Sequence, residues 1–225
     1  MPALTRLQIQ ALICDIVNDP SNTRWSAARK QAAIQVAMEM FVEDTRALTD
    51  VQSFSVVAAD NSYALSTDTL DIIRVTHNGL PLQRMSKFDL DSKTGTNWSI
   101  TTGTPINYYV DYTSTNKDII LYPTPQGGDA GTNNLILEYL KVPPTLSSDS
   151  SVPLNSQSLL QPYSMALAYQ AATFFLRSST DPKDWQKASI FNALYQEQVD
   201  LCREIFRPLN ESEPRRLRGG RYFRN

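Results

Sequence analysis

Few groups in this chain could do covalent chemistry. His77 is the single histidine, and a histidine base needs a nucleophile and an orienting carboxylate beside it. It precedes Asn78-Gly79, a pair suited to a tight turn, so a solvent-exposed turn residue is expected. Two cysteines, Cys14 and Cys202, cannot make a zinc site between them. Both fall on faces of expected helices, where a free buried thiol suits a chain made in a reducing cytoplasm. Asp89-Leu90-Asp91-Ser92-Lys93-Thr94-Gly95 starts like a calcium loop. Such a loop needs an oxygen ligand at its fifth position, glycine at its sixth and glutamate at its twelfth. Lys93, Thr94 and Ile100 stand there, which leaves a solvated loop. Asp68 with Asp71, or Glu43 with Asp44, could form an acid pair, although surface charge is the default for such residues. Asn97-Trp98-Ser99 and Asn210-Glu211-Ser212 match the glycosylation triplet, but no secretory signal makes them usable. No Gly-x-x-x-x-Gly-Lys phosphate loop occurs. The expectation is a chain with no catalytic residue, metal or cofactor.

Two binding features remain. Tyr108, Tyr109, Tyr112, Tyr122 and Tyr139 could form a stacking platform, or could divide between core and sheet surface on alternating strands. The C-terminal stretch is the more unusual. Arg215, Arg216, Leu217, Arg218, Arg221, Tyr222, Phe223 and Arg224 surround a Gly219-Gly220 pair. From Arg207 onward six arginines face two acids, a local charge of +4, which leaves -6 on the preceding 206 residues of a chain whose net charge is -2. Three readings compete: a solubilising end, a nucleic-acid arm in which arginine pairs with phosphate and the aromatics stack on bases, and an anchor that orders on a protein partner.

The elements around these groups are legible from periodicity. Ile9, Leu12, Ile13, Ile16 and Val17 lie on one helical stripe. Asp19-Pro20 ends that helix. A second helix, capped by Asn22 or Thr23 and reaching about Leu48, turns Ile34, Ala37, Met38, Phe41 and Val42 inward and Arg29, Lys30, Gln31, Gln35, Glu39 and Glu43 outward. The period then changes. Phe54–Ala58 is β-prone. Ile72–Thr76 and Leu80–Arg84 flank the Asn-Gly turn as a hairpin, with Pro81 at a sheet edge. Ile106–Tyr112, Ile119–Tyr122 and Leu135–Leu140 complete a meander, with Ile106, Tyr108, Val110 and Tyr112 on one face. Two long helices follow, Ser158–Ser178 and one from Pro182 to about Phe206, separated by Asp181 as N-cap and closed by Pro208. The second of these turns Phe191, Leu194, Tyr195, Cys202 and Ile205 inward. The expected class is α+β. Residues 1–48 form a helical hairpin, 49–145 an inserted antiparallel β region, 146–207 a second helical pair completing a four-helix bundle, and 208–225 an extended basic arm.

Composition fits a globular chain: 225 residues, 41% apolar and 20% charged. It excludes a wholly disordered chain, a collagen and a disulfide scaffold. The apolar stretches are broken too often to span a bilayer, so no membrane partner is expected.

Several segments together resemble a known family. Leu80-Pro81-Leu82 with Phe88-Asp89, Gly103-Thr104-Pro105-Ile106-Asn107-Tyr108-Tyr109, Ile119-Ile120-Leu121-Tyr122-Pro123-Thr124-Pro125, Leu137-Glu138-Tyr139, and the last helix pair with its detached tail are similar to the head-to-tail adaptor proteins of tailed bacteriophages, those called tail tubular protein A among them. The resemblance implies a structural virion protein. It implies a homo-oligomeric ring, usually of twelve copies, placed beneath the portal protein at one capsid vertex. The ring receives a tail or nozzle protein on its other side and surrounds the channel through which viral DNA passes. It also implies that residues 215–224 grip the portal. An acidic body suits a channel along which DNA slides without sticking.

Overall fold

The computed structural model describes residues 3–94, 98, 100–112, 117–155 and 158–210. Among the described residues it is a mixed α+β protein with five α-helices and two largely antiparallel sheets, divided into two compact units. One comprises residues 1–47 and 145–225, the other Leu48–Pro144.

The helical unit begins with α1 (Arg6–Ile16). Thr5 caps it: the Thr5 side chain accepts from the Gln8 N–H, and Gln8 returns a bond to the Thr5 N–H. This reciprocal arrangement satisfies two donors that a helix start leaves open. α2 (Ala27–Thr45) starts at an N-cap Ser26, later than Asn22 or Thr23. Asp19 claims that segment instead, its carboxylate accepting from the N–H groups of Thr23, Arg24 and Trp25. Arg46, at φ 54°, ends α2 in the left-handed region. The stretch Ser158–Tyr163 is a 3-10 turn that leads into α4 (Ser164–Arg177); Pro162 sits in that turn, before the α-helical ladder begins. α5 (Pro182–Asn210) follows. The Asp181 carboxylate accepts from the Lys183 N–H at its start. Its far end lies beyond Pro208, which falls in the last turn, where few ladder bonds remain to be lost.

Ile9, Ile13, Ile34, Ala37, Met38, Phe41, Leu167, Ala171 and Tyr195 are wholly buried in this unit. Phe41 packs between Tyr163 and Tyr195, at ring separations of 6.1 and 6.4 Å. α2 and α4 touch each other, and each is touched by both α1 and α5. On α5 the inward residues are Ala188, Tyr195, Val199, Cys202 and Phe206, whereas Ile205, expected inside, is half exposed. A 29-residue helix carries two apolar stripes, and periodicity alone does not say which one faces the core.

The second unit holds two sheets. One has the order β1 (Thr49–Val56), β8 (Gly131–Lys141), β3 (Thr69–His77) and β4 (Leu80–Pro81); the other has β2 (Ser62–Ala64), β7 (Lys117–Tyr122), β6 (Asn107–Tyr112) and β5 (Gln83–Arg84). This is not the single meander expected. β8 inserts between β1 and β3 and pairs antiparallel with both. The Asn-Gly hairpin forms as expected: Asn78 and Gly79 both have positive φ, 49° and 78°, and His77 pairs with Leu80. Pro81 lies on an edge strand. Two residues later the chain has changed sheets, since Gln83 and Arg84 pair in parallel with Asn107 and Tyr108.

Val56, Ile72, Val75, Leu135, Leu137 and Tyr139 from the first sheet meet Tyr63, Tyr108, Ile119 and Leu121 from the second in one apolar core, with Leu82 at the crossing. The second sheet is also covered on its other face. There α3 (Lys87–Thr94) contributes Leu90, which clusters with Trp98, Tyr109 and Ile120. The segment expected as a solvated loop is therefore largely helix. Ser86 caps it by accepting from the Asp89 N–H, while its own hydroxyl donates to the Asp89 carboxylate.

Candidate functional site

The groups singled out for chemistry are dispersed and mostly occupied by structural work. His77 is buried, not exposed. β3 continues through residue 77, so the turn begins only at Asn78 and the imidazole points into the fold. Its Nε2 lies 3.1 Å from the carbonyl of Asp129 and 3.3 Å from Asn134 Nδ2. It ties the hairpin to the start of β8 and has no nucleophile beside it among these partners. Cys14 and Cys202 are both free and buried, as expected. Burial pushes the Cys202 thiol up to about 12, so it carries almost no thiolate at neutral pH. A brief iodoacetamide pulse on the native protein at pH 8 is expected to leave Cys202 unmodified by peptide mass mapping, and a pulse in denaturant to modify it fully. Fast native labelling of Cys202 contradicts this placement.

Ser86 and Asp89 border an open cleft of about 480 Å³ with Arg84, Met85, Lys87, Tyr109, Val110 and Asp111. The Ser86 hydroxyl is committed to capping α3, and no histidine lines the cleft. Asp68 and Asp71 do not form a shared acid pair: Lys141 bridges Asp68 to Asp50 at 3.3 and 2.7 Å, and Arg84 faces Asp71 at 3.4 Å. Among the described residues, no group of three or more His, Cys, Asp or Glu could hold a metal ion, and no helix is long and apolar enough to cross a membrane. Of the five tyrosines, Tyr108, Tyr109 and Tyr139 are core residues and Tyr112 is 65% exposed, so they make no common platform.

The most elaborate polar site was missed. Lys30, placed on the outer face of α2 by its pattern, is completely buried. Its ammonium donates to Asp19 Oδ2 at 2.9 Å, the Asp19 carbonyl at 3.0 Å and Asn22 Oδ1 at 3.0 Å, and lies 3.3 Å from Cys14 Sγ. Lys30 first, then the backbone N–H groups of Trp25 and Arg24, hold the Asp19 carboxyl well below the usual carboxylate range against the opposing effect of burial. Every partner is internal, so this is a clasp on the α1–α2 connection. The signal that could have found it is Asp19-Pro20-Ser21-Asn22, where acceptors cluster one helical turn from Ser26.

The arm residues Arg215, Arg216, Leu217, Arg218, Arg221, Tyr222, Phe223 and Arg224 lie outside the described residues. What the described residues hold is a scaffold with occupied polar groups and sizeable apolar side chains left on its surface. The sequence model of the SU10 adaptor protein family matches residues 4–218. The chain belongs to the SU10 adaptor family. This is a phage head-to-tail adaptor family, and the match spans parts of both structural units, all of α5 and the eight residues after it. Comparison with curated proteins finds no match. The SU10 adaptor identity makes the protein a structural component of a phage, consistent with the structural employment of its histidine, thiols and carboxylates.

Proposed function

We propose that this protein forms a ring of about twelve copies beneath the portal, joining the capsid to a tail or nozzle protein and encircling the path of the DNA. Family membership over residues 4–218 carries the reading. In it, α1, α2, α4 and α5 act as a four-helix bundle, with the β unit inserted between its two halves in sequence. The segment from Arg215 to Arg224 binds the portal, its arginine forks pairing with carboxylates while Leu217, Tyr222 and Phe223 bury apolar surface. Ordering a segment costs roughly 1–2 kcal/mol per residue in backbone freedom, so charge pairing alone is a poor anchor and the aromatic contacts matter. The charge division of the sequence, -6 against +4, keeps the body repulsive to DNA and reserves positive charge for the arm.

The test is reconstitution with purified portal from the same phage. Mass photometry is expected to show a complex carrying one adaptor per portal subunit, and electron microscopy a ring under the portal. An adaptor that stays unbound at micromolar concentration, or that binds naked DNA in preference to portal, overturns the reading. A companion experiment cuts the chain after Asn210, where α5 ends, so that the helix is left whole. The shortened protein is expected to keep its circular dichroism spectrum and to lose at least tenfold in portal affinity. Replacing Arg215, Arg216, Arg218 and Arg221 by Ala is expected to weaken docking and flatten its dependence on salt. Unchanged affinity after truncation removes the arm from the portal contact.

A further inference from the structure

We infer that the outer face of α5 is the seam between neighbouring copies of this chain and that it packs on α1 of the next copy. The inference rests on the ring reading above and assigns its contact residues. Ile190, Leu194, Leu201 and Ile205 follow one another at spacings of four, seven and four, which places them on one stripe of the helix. Ile190, Leu201 and Ile205 are 60%, 45% and 50% exposed, and Leu194 is half-buried. This stripe is separate from the buried one that runs through Ala188, Tyr195, Val199, Cys202 and Phe206. The inner stripe already faces α2 and α4, so the outer one is surplus to the fold of the monomer. A run of large aliphatic side chains over four turns marks an interaction surface, whereas scattered single residues do not.

The helical unit supplies a matching surface on its far side. α1 and α5 each touch both α2 and α4 but make at most marginal contact with each other, the pattern of two helices on opposite sides of a central pair. A contact between opposite sides of a subunit is heterologous: it repeats from copy to copy and can close a ring, which a self-complementary patch cannot. The outward row of α1 is Leu7, Ala11 and Asp15, all exposed. On α5, exposed Lys187 precedes Ile190 and Leu194 on the same stripe. Laid antiparallel, Asp15 meets Lys187, Ala11 meets Ile190 and Leu7 meets Leu194. The small Ala11 lets the helices approach, and the charge pair sets direction. Two helices touching over about three turns bury less than the ~1,200 Å² typical of a stable complex. The seam is therefore weak alone and closes when the portal gathers copies side by side.

Cysteine pairs test this. Ala11→Cys with Ile190→Cys is oxidised by copper–phenanthroline, with the portal and also without it at high protein concentration. Buried Cys14 and Cys202 stay silent, and the two new thiols of one copy lie on opposite sides of its helical unit. The expected product is a ladder of dimer, trimer and higher species, absent from either single variant. If the wild-type chain fails to join the portal yet the ladder forms in its absence, the seam stands and the portal reading falls. If the chain joins the portal and no ladder forms, the seam is wrong. Two other results also overturn it: an Ile190→Cys single variant whose product stops at dimer, which indicates a two-fold α5–α5 contact, and cross-linking of Ile190→Cys to Phe223→Cys, which indicates that the arm covers the stripe. As an independent reading, Ile190→Glu with Leu194→Glu is expected to leave the circular dichroism spectrum unchanged and to lower the number of copies held by the portal at least tenfold at subsaturating concentration. Unaltered loading removes the stripe from the seam.

Discussion

Lys30→Met is expected to destabilise the helical unit by about 3–5 kcal/mol, the usual cost of leaving one charge of a buried pair uncompensated. That corresponds to a fall of the order of 10 °C in its unfolding midpoint. Methionine fills most of the volume, so lost packing is a small part of the effect. What remains is a carboxylate at Asp19 whose side chain is almost entirely inaccessible and which has lost its strongest donor. Asp19→Asn in the Lys30→Met background keeps an acceptor for the Thr23 and Arg24 N–H groups and removes the charge. It is expected to restore at least half of the loss. The clasp also has a pH signature. Asp19 titrates below its unfolded value of about 3.9, so its contribution is complete above that value and is lost as pH falls through the lower folded value. The wild type is therefore expected to weaken below about pH 4, and its advantage over Lys30→Met to shrink there. A loss under 1 kcal/mol at pH 7 in urea unfolding followed at 222 nm counts against a buried ion pair.

Phe41→Ala is the second large effect. Phe41 has no exposed surface and lies between two aromatic rings from the C-terminal half of the chain. Removing it leaves a cavity that its neighbours only partly fill, at a cost of about 3–5 kcal/mol. Tyr195 cannot readily swing into the gap, because its hydroxyl donates to Asp44 at 2.6 Å. Phe88→Ala is the control. Phe88 is 78% exposed, and its loss is expected to stay within about 0.5 kcal/mol. A loss at Phe41 as small as the one at Phe88 would show that Phe41 does not bind the two ends of the chain in one core.

Where a residue's fate follows from its own period, the sequence was a reliable guide. Ile34, Ala37, Met38, Phe41 and Val42 were expected inside and are buried. Asn78-Gly79 demanded positive φ and has it. Ile205 fails because α5 carries a second apolar stripe; the other failures share a different cause, a partner remote in sequence. Lys30 looks solvent-facing until Asp19 folds beneath it. The imidazole of His77 is drawn inward by the carbonyl of Asp129, 52 residues away. Tyr109 stayed open between platform, core and sheet surface because nothing local announces that α3 and Trp98 cover that face of the sheet; only Ser86 with Asp89, a helix-capping pair, hinted at the helix. The parallel pairing of Gln83 and Arg84 with β6 had no local signal, since a two-residue strand carries no period. For residues 215–224 composition leaves three readings open, and the portal as their partner is what the family resemblance implies.

The position of β8 sets the order in which this chain can fold as it is made. β1 is synthesised about eighty residues before the strand it pairs with, and β3 must wait for the same strand. Neither has a partner of comparable length until β8 arrives, so their edges are open to wrong pairing during translation. α1 and α2 wait longer still, for α4 and α5. The β unit can close while both N-terminal helices are still without their C-terminal partners. Chains released after Pro144 should therefore resist protease across residues 48–144 and be cut within α2. The helical unit, with its surplus stripe on α5, is the last surface to mature, so on the proposed seam a copy would meet its neighbours only after its own β unit is finished.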